Sequence, residues 1–179
     1  MANPSDRICL DSNVIIDCLD KTDPWWSHIE PILREAEKNR LAFVMSVIAK
    51  AEVLTISSKT PEESLRIINS FFRQTYAHIY GVNERTAEHA ATIRRRINLD
   101  PADSLHLATA VEHKIPILLT RDGEGTKKRR KKKLIDANNM FDVEIITPEA
   151  YFDRLGDDVK QSEISDIGDS ETTNEDRET

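Results

Sequence analysis

Four acidic side chains, Asp11, Glu52, Asp103 and Asp122, fall where an alternating chain would gather them. Asp11 ends the apolar run Ile8-Cys9-Leu10, and Asp122 follows the run from Ile115 to Thr120. Glu52 and Asp103 open onto segments with helical spacing. Carboxylates brought together repel one another strongly and raise each other's pKa. A hard divalent cation relieves that repulsion, and oxygen-only ligation suits Mg²⁺ or Mn²⁺.

Each acid also has a purely structural explanation. Asp11 precedes Ser12-Asn13 and would serve as a turn or N-cap acid at a strand end. Asp122 precedes Gly123, an ordinary turn pair. Asp103 would sit at the third position of a helix capped by Asp100 and begun by Pro101, where an acid is favoured by the helix dipole. It also leads a stripe of Leu107, Ala110 and Val111. Glu52 shares a helical face with Ile48 and Ile56, so it interrupts an apolar stripe. The alternatives for Glu52 are a rotated helix with the acid at the surface or an ion pair with an arginine.

The elements that must position these groups alternate. Strands are predicted at Arg7–Leu10, Leu41–Met45, Thr75–Tyr80, Pro116–Thr120 and Val143–Ile146. Helices are predicted at Pro24–Arg40, 47–57, from Thr60 onward, Asn83–Ile97, Asp100–His113 and Pro148–Leu155. This order implies an α/β fold, a three-layer α/β/α sandwich on a central parallel sheet of about five strands. In such sheets a ligand sits beyond the carboxyl ends of the strands, at a switch point in their order. If the first and fourth strands are neighbours, Asp11 and Asp122 line one crevice.

The net charge of −7 is unevenly spread. Residues 1–155 carry 23 acids and 23 bases, and residues 156–179 carry nine acids and two bases. The division expected is one domain over 1–155, interrupted by a basic loop at 123–133, and a disordered acidic tail over 156–179. Basic charge concentrates in the run Lys127 to Lys133, with a smaller cluster at Arg94-Arg95-Arg96. That run reads as a solvated loop, a phosphate-binding segment or a nuclear localisation signal. The tail could fold back on it.

No run approaches the roughly 18 apolar residues of a membrane span, and Met1 to Arg7 does not read as a signal peptide. Cys9 and Cys18 form neither a disulfide framework nor a zinc site, and Cys9 is expected as a buried free thiol. A cytoplasmic location follows. None of the five histidines shows metal-ligand spacing, and His106 is expected at the surface or an interface. Of the adjacent Trp25 and Trp26, one is expected in the core and the other facing outward, where it could anchor a partner.

Four segments, in order, resemble the motifs of the PIN-domain nucleases, most closely the VapC-like toxin ribonucleases of toxin–antitoxin pairs. They are Ile8 to Asp17, Ser46 to Leu54, Asp103 to Ala110, and Leu118-Leu119-Thr120-Arg121-Asp122, within a likeness covering about residues 7–152. The resemblance implies a metal-dependent endoribonuclease. Asp11, Glu52, Asp103 and Asp122 would hold Mg²⁺ or Mn²⁺, and Asn13 and Thr120 would hydrogen-bond those carboxylates. Lys127, Lys128, Arg129 and Arg130 would contact RNA. A small antitoxin and a homodimer are the implied partners. The chain departs from the pattern in its inserted basic run, in its acidic tail, and in lacking the glycine that commonly follows the second acid. Other readings remain: a catalytically weak PIN-like module that binds RNA or protein, and a stand-alone RNA-processing or defence nuclease. A phosphatase of the haloacid dehalogenase type would need an aspartate two residues after its nucleophile, where this chain has Asn13.

Overall fold

The computed structural model describes residues 7–55, 61–121 and 132–156. Asp122, Lys127 to Arg130 and the acidic tail from 157 lie outside the described residues, as do the expectations placed on them.

Five short strands form one sheet: β1 (Arg7–Leu10), β2 (Ala42–Ser46), β3 (Ala77–Tyr80), β4 (Ile117–Leu119) and β5 (Glu144–Ile146). Their order is β3-β2-β1-β4-β5, and every neighbouring pair is parallel. The helices are α1 (Ser12–Leu19), α2 (Trp26–Glu37), α3 (Val47–Thr55), α4 (Pro61–Phe71), α5 (Glu84–Ile97) and α6 (Pro101–Glu112). A 3-10 turn covers Leu134–Ala137, and residues 148–156 form α7. The three-layer architecture read from the alternation is the observed one.

The pleat divides the apolar residues between two faces. Ile8, Leu10, Phe43, Met45 and Leu119 point into a core shared with Val14 and Ile15 of α1, Ile29 and Ile32 of α2, Ala49 and Val53 of α3, and Tyr151 of α7. Cys9, Val44, Leu118 and Ile145 point the other way, onto Ile93 of α5, Leu107 and Ala110 of α6, and Leu134. Both cysteines are free and buried. The central strands are covered on both sides, which is why they read as unbroken apolar runs rather than alternating ones.

The chain winds outward from β1 through β2 to β3, then returns through α5 and α6 to β4 on the other side of β1. The order therefore reverses between β1 and β4, and the crevice forms there.

Three local readings are corrected. No helix was expected at Ser12–Leu19, because Val14-Ile15-Ile16 is a β-branched run of the kind that favours strands. The helix forms because Asp11, in extended backbone, accepts the Ser12 N–H and starts it. The second helix begins at Trp26 rather than Pro24 and ends at Glu37. Trp25 and Trp26 both pack, half-buried, against the first core, so neither stands out from the surface.

Candidate functional site

Asp11 sits where β1 gives way to α1, and only 3 % of the residue is exposed. Its backbone N–H donates to the Leu119 carbonyl at 3.0 Å, extending the β1–β4 ladder by one residue. The Ser12 N–H donates to Oδ1 at 2.7 Å, and the Thr120 hydroxyl donates to Oδ2 at 2.7 Å. The Ser12 hydroxyl also donates to Oδ1, at 3.4 Å, so it is Oδ2 that keeps a second lone pair able to face a cation.

Thr120 itself is fully buried at the end of β4. Asn13, in the first turn of α1, donates through Nδ2 to the Thr120 hydroxyl at 3.4 Å and accepts the Arg121 N–H through Oδ1 at 3.1 Å. Thr120 thus bonds the Asp11 carboxylate. Asn13 instead ties the start of α1 to the chain leaving β4.

Arg121 is locked further. Its Nε lies 3.1 Å from Oδ2 of Asp17, which has no exposed surface, and its Nη1 lies 3.6 Å from Asp23. Its guanidinium lies over the Trp25 ring at 5.9 Å, within cation–π range. Burial nonetheless pushes the Asp17 carboxyl up to about 7. The attraction of Arg121 opposes that rise, and repulsion from Asp23 and Asp20 adds to it.

Glu52 lies on α3, whose buried residues are Ala49 and Val53. It therefore borders the apolar stripe, half-buried, rather than interrupting it. Asp103 stands in the first turn of α6, after Asp100 at the cap position and Pro101, as the sequence indicated.

Between these acids sits His106. It is 1 % exposed, which overturns its assignment to the surface or an interface. Its Nε2 lies 2.9 Å from Oε2 of Glu52 and 3.6 Å from Oδ1 of Asp11. Because Glu52 accepts only, Nε2 carries the hydrogen of that bond. Burial opposes a charged imidazole, but the Glu52 hydrogen bond and the charges of Asp11, Glu52 and Asp103 outweigh it, and the His106 pKa is raised. The same bond holds the Glu52 carboxyl below its usual range against the opposing effect of its burial. All three described acids therefore act on one buried ring.

The donor set, carboxylates alone, is of the kind that takes a hard cation. Among the described residues no three acidic, histidine or cysteine side chains are spaced to hold one. His106 instead stands between Glu52 and Asp11. Spacing rules aimed at metal ligands pass over such a histidine. The signal that could have found it is its place three residues after Asp103, one helical turn along the same face.

The family model of the PIN domain matches residues 8–137. No curated protein matches the chain in sequence. Among solved structures, a DNA-bound VapBC complex from Salmonella typhimurium is similar at TM-score 0.58 and 16% identity, covering 79% of this chain and 98% of that one. A toxin–antitoxin complex from Klebsiella pneumoniae is similar at TM-score 0.55 and 19% identity, covering 79% and 97%. VapC20 of Mycobacterium tuberculosis, described as a toxin that cleaves the sarcin–ricin loop, is similar at TM-score 0.54 and 13% identity, covering 65% and 91%. At these identities the likeness speaks of fold.

Proposed function

The chain belongs to the PIN domain family, and from that premise we propose that it is a Mg²⁺- or Mn²⁺-dependent endoribonuclease, the toxin half of a toxin–antitoxin pair. The observation that carries this reading is the placement of Asp11 and Glu52 within 3.6 Å of the buried His106 at the β1–β4 switch, with Asp103 one turn before that histidine on α6. Its fold neighbours include toxin–antitoxin complexes, which supports the partner assignment.

Asp11, Glu52 and Asp103 would hold the ion, with Asp122 as the fourth ligand. When bound, a divalent ion orients a phosphodiester, activates a water and stabilises the leaving oxygen. Thr120 and the Ser12 N–H fix the two oxygens of Asp11, so this ligand needs little rearrangement on binding. Asn13 and Arg121 keep the exit of β4 against α1, beside Asp11. The exposed Lys132 and the half-buried Lys133, together with Lys127, Lys128, Arg129 and Arg130, would supply attraction for the RNA backbone. The partner would be a small antitoxin protein, the assembly a homodimer, and the compartment the cytoplasm. No described helix is long and apolar enough to cross a membrane.

The test is Mg²⁺-dependent cleavage of RNA by the purified protein. Asp11→Asn should reduce it to background while the thermal unfolding midpoint stays close to that of the parent. Cleavage by Asp11→Asn at the parental rate would overturn the reading.

A further inference from the structure

We propose that His106 is a positioning residue of the carboxylate site, holding Glu52 of α3 in register with Asp11 and Asp103. The inference deepens the metal-dependent reading above and rests on it.

The geometry supports it from three sides. First, the His106–Glu52 bond joins α6 to α3 across the end of β1, two helices that belong to opposite layers of the sandwich. Second, the ring cannot swing away. It has 1 % exposure, and its own backbone carbonyl lies 4.0 Å from the Cys9 thiol of β1. Third, Glu52 is less confined than the ring that grips it, since 37 % of its side chain is exposed. A glutamate with three rotatable side-chain torsions at a half-open position loses freedom when one oxygen is fixed.

The bland explanation is a core histidine that happens to find an acid. It accounts poorly for Nδ1, which is buried with no hydrogen-bond partner among the described residues. A ring kept only for packing would be served better by leucine, which has no polar atom to desolvate. The polar ring is retained at the one place where it touches Glu52 and approaches Asp11. Groups that orient metal ligands in this way typically influence metal affinity by about 10- to 100-fold.

The experiment compares the parent with His106→Gln, His106→Leu and His106→Asn by titration with Mn²⁺, read by calorimetry, alongside thermal unfolding. Glutamine places its amide nitrogen as many bonds from Cβ as Nε2 of histidine and can donate to Glu52. Asparagine is polar but one bond shorter. His106→Leu and His106→Asn are expected to weaken Mn²⁺ binding by about 10- to 100-fold, and His106→Gln to restore most of it. A purely structural role would not give rescue by glutamine together with loss in asparagine, and the asparagine arm decides if the leucine variant does not fold. Parental Mn²⁺ affinity in both His106→Asn and His106→Leu overturns the proposal and leaves the proposed function standing. A parent that binds no Mn²⁺ overturns both, and is recognised by the absence of any signal to compare.

Discussion

Asp17 is a buried acid whose pairing does not offset its burial. It has no exposed surface, yet its partner Arg121 is only partly withdrawn from water and also faces Asp23. Burial wins over pairing and pushes the carboxyl up to about 7. The sign of the consequence is fixed by linkage. An ordinary unfolded aspartate titrates near 4, so between roughly pH 4 and pH 7 the folded chain holds a proton that the unfolded chain releases. Asp17 therefore favours folding at low pH, loses that contribution progressively as pH rises from about 4 to about 7, and is level above that. Asp17→Asn should lie close to the parent near pH 4 and exceed it at pH 8, by an amount on the order of 1 kcal/mol or more, since a tenfold change in proton affinity corresponds to about 1.4 kcal/mol. Denaturant unfolding at the two pH values checks this, and a difference independent of pH would show that the pairing with Arg121 dominates. At this scale the sequence was legible where local rules and chemistry agree. Asp103 after Asp100-Pro101 and Asp11 after an apolar run are both where they were expected. His106 was not legible, because a single histidine in an apolar helix looks the same whether it faces solvent, core or a carboxylate from another layer.

Elements were legible where their ends are marked. The α5 helix is the clearest case. Asn83 accepts the Thr86 N–H at 2.8 Å, its own N–H faces the Thr86 hydroxyl, and its amide donates to Glu112 of α6 at 3.0 Å. The Thr86 hydroxyl also bonds Glu112, so one cap anchors both the start of α5 and the end of α6. Asn83→Ala should cost about 1 to 2 kcal/mol, the upper part of the usual range for a lost N-cap, read as a lower urea midpoint with unchanged slope. A loss below about 0.5 kcal/mol would mean that the interhelical bonds contribute nothing beyond the cap. The opposite case is α1, where β-branched residues point toward a strand and a cap at Asp11 decides for a helix. Tertiary burial of Val14 and Ile15 under the sheet overrides local propensity there. Glu52 illustrates a smaller error: a rotation of α3 by part of a turn moves an acid from an apolar stripe to its edge.

Across the whole molecule, alternation and right-handed crossover limit the strand orders open to the sequence, but the order itself, and the place where it reverses, became known only with β1 paired to β4. The charge distribution adds a consequence for substrate. Arg94, Arg95 and Arg96 are all exposed on the last turn of α5, three residues of chain before α6 begins with Asp103 in its first turn. Arg96 also lies over the Phe141 ring at 5.5 Å. If RNA is the substrate, replacing all three arginines by alanine should flatten the dependence of log affinity on log salt by about 2, at roughly 0.7 per phosphate contact on a single strand. An unchanged slope, measured with the cleavage-deficient Asp11→Asn protein, would remove this surface from the path of the RNA. The pairing of β1 with β4 bears on more than equilibrium structure. Thr120 follows Asp11 by 109 residues along the chain. On a ribosome adding about 5 to 20 residues per second, β1 waits roughly 5 to 20 s for its second neighbour. Until then Asp11 lacks the hydroxyl that holds it, so a nascent chain emerges from the translation machinery without a finished carboxylate site.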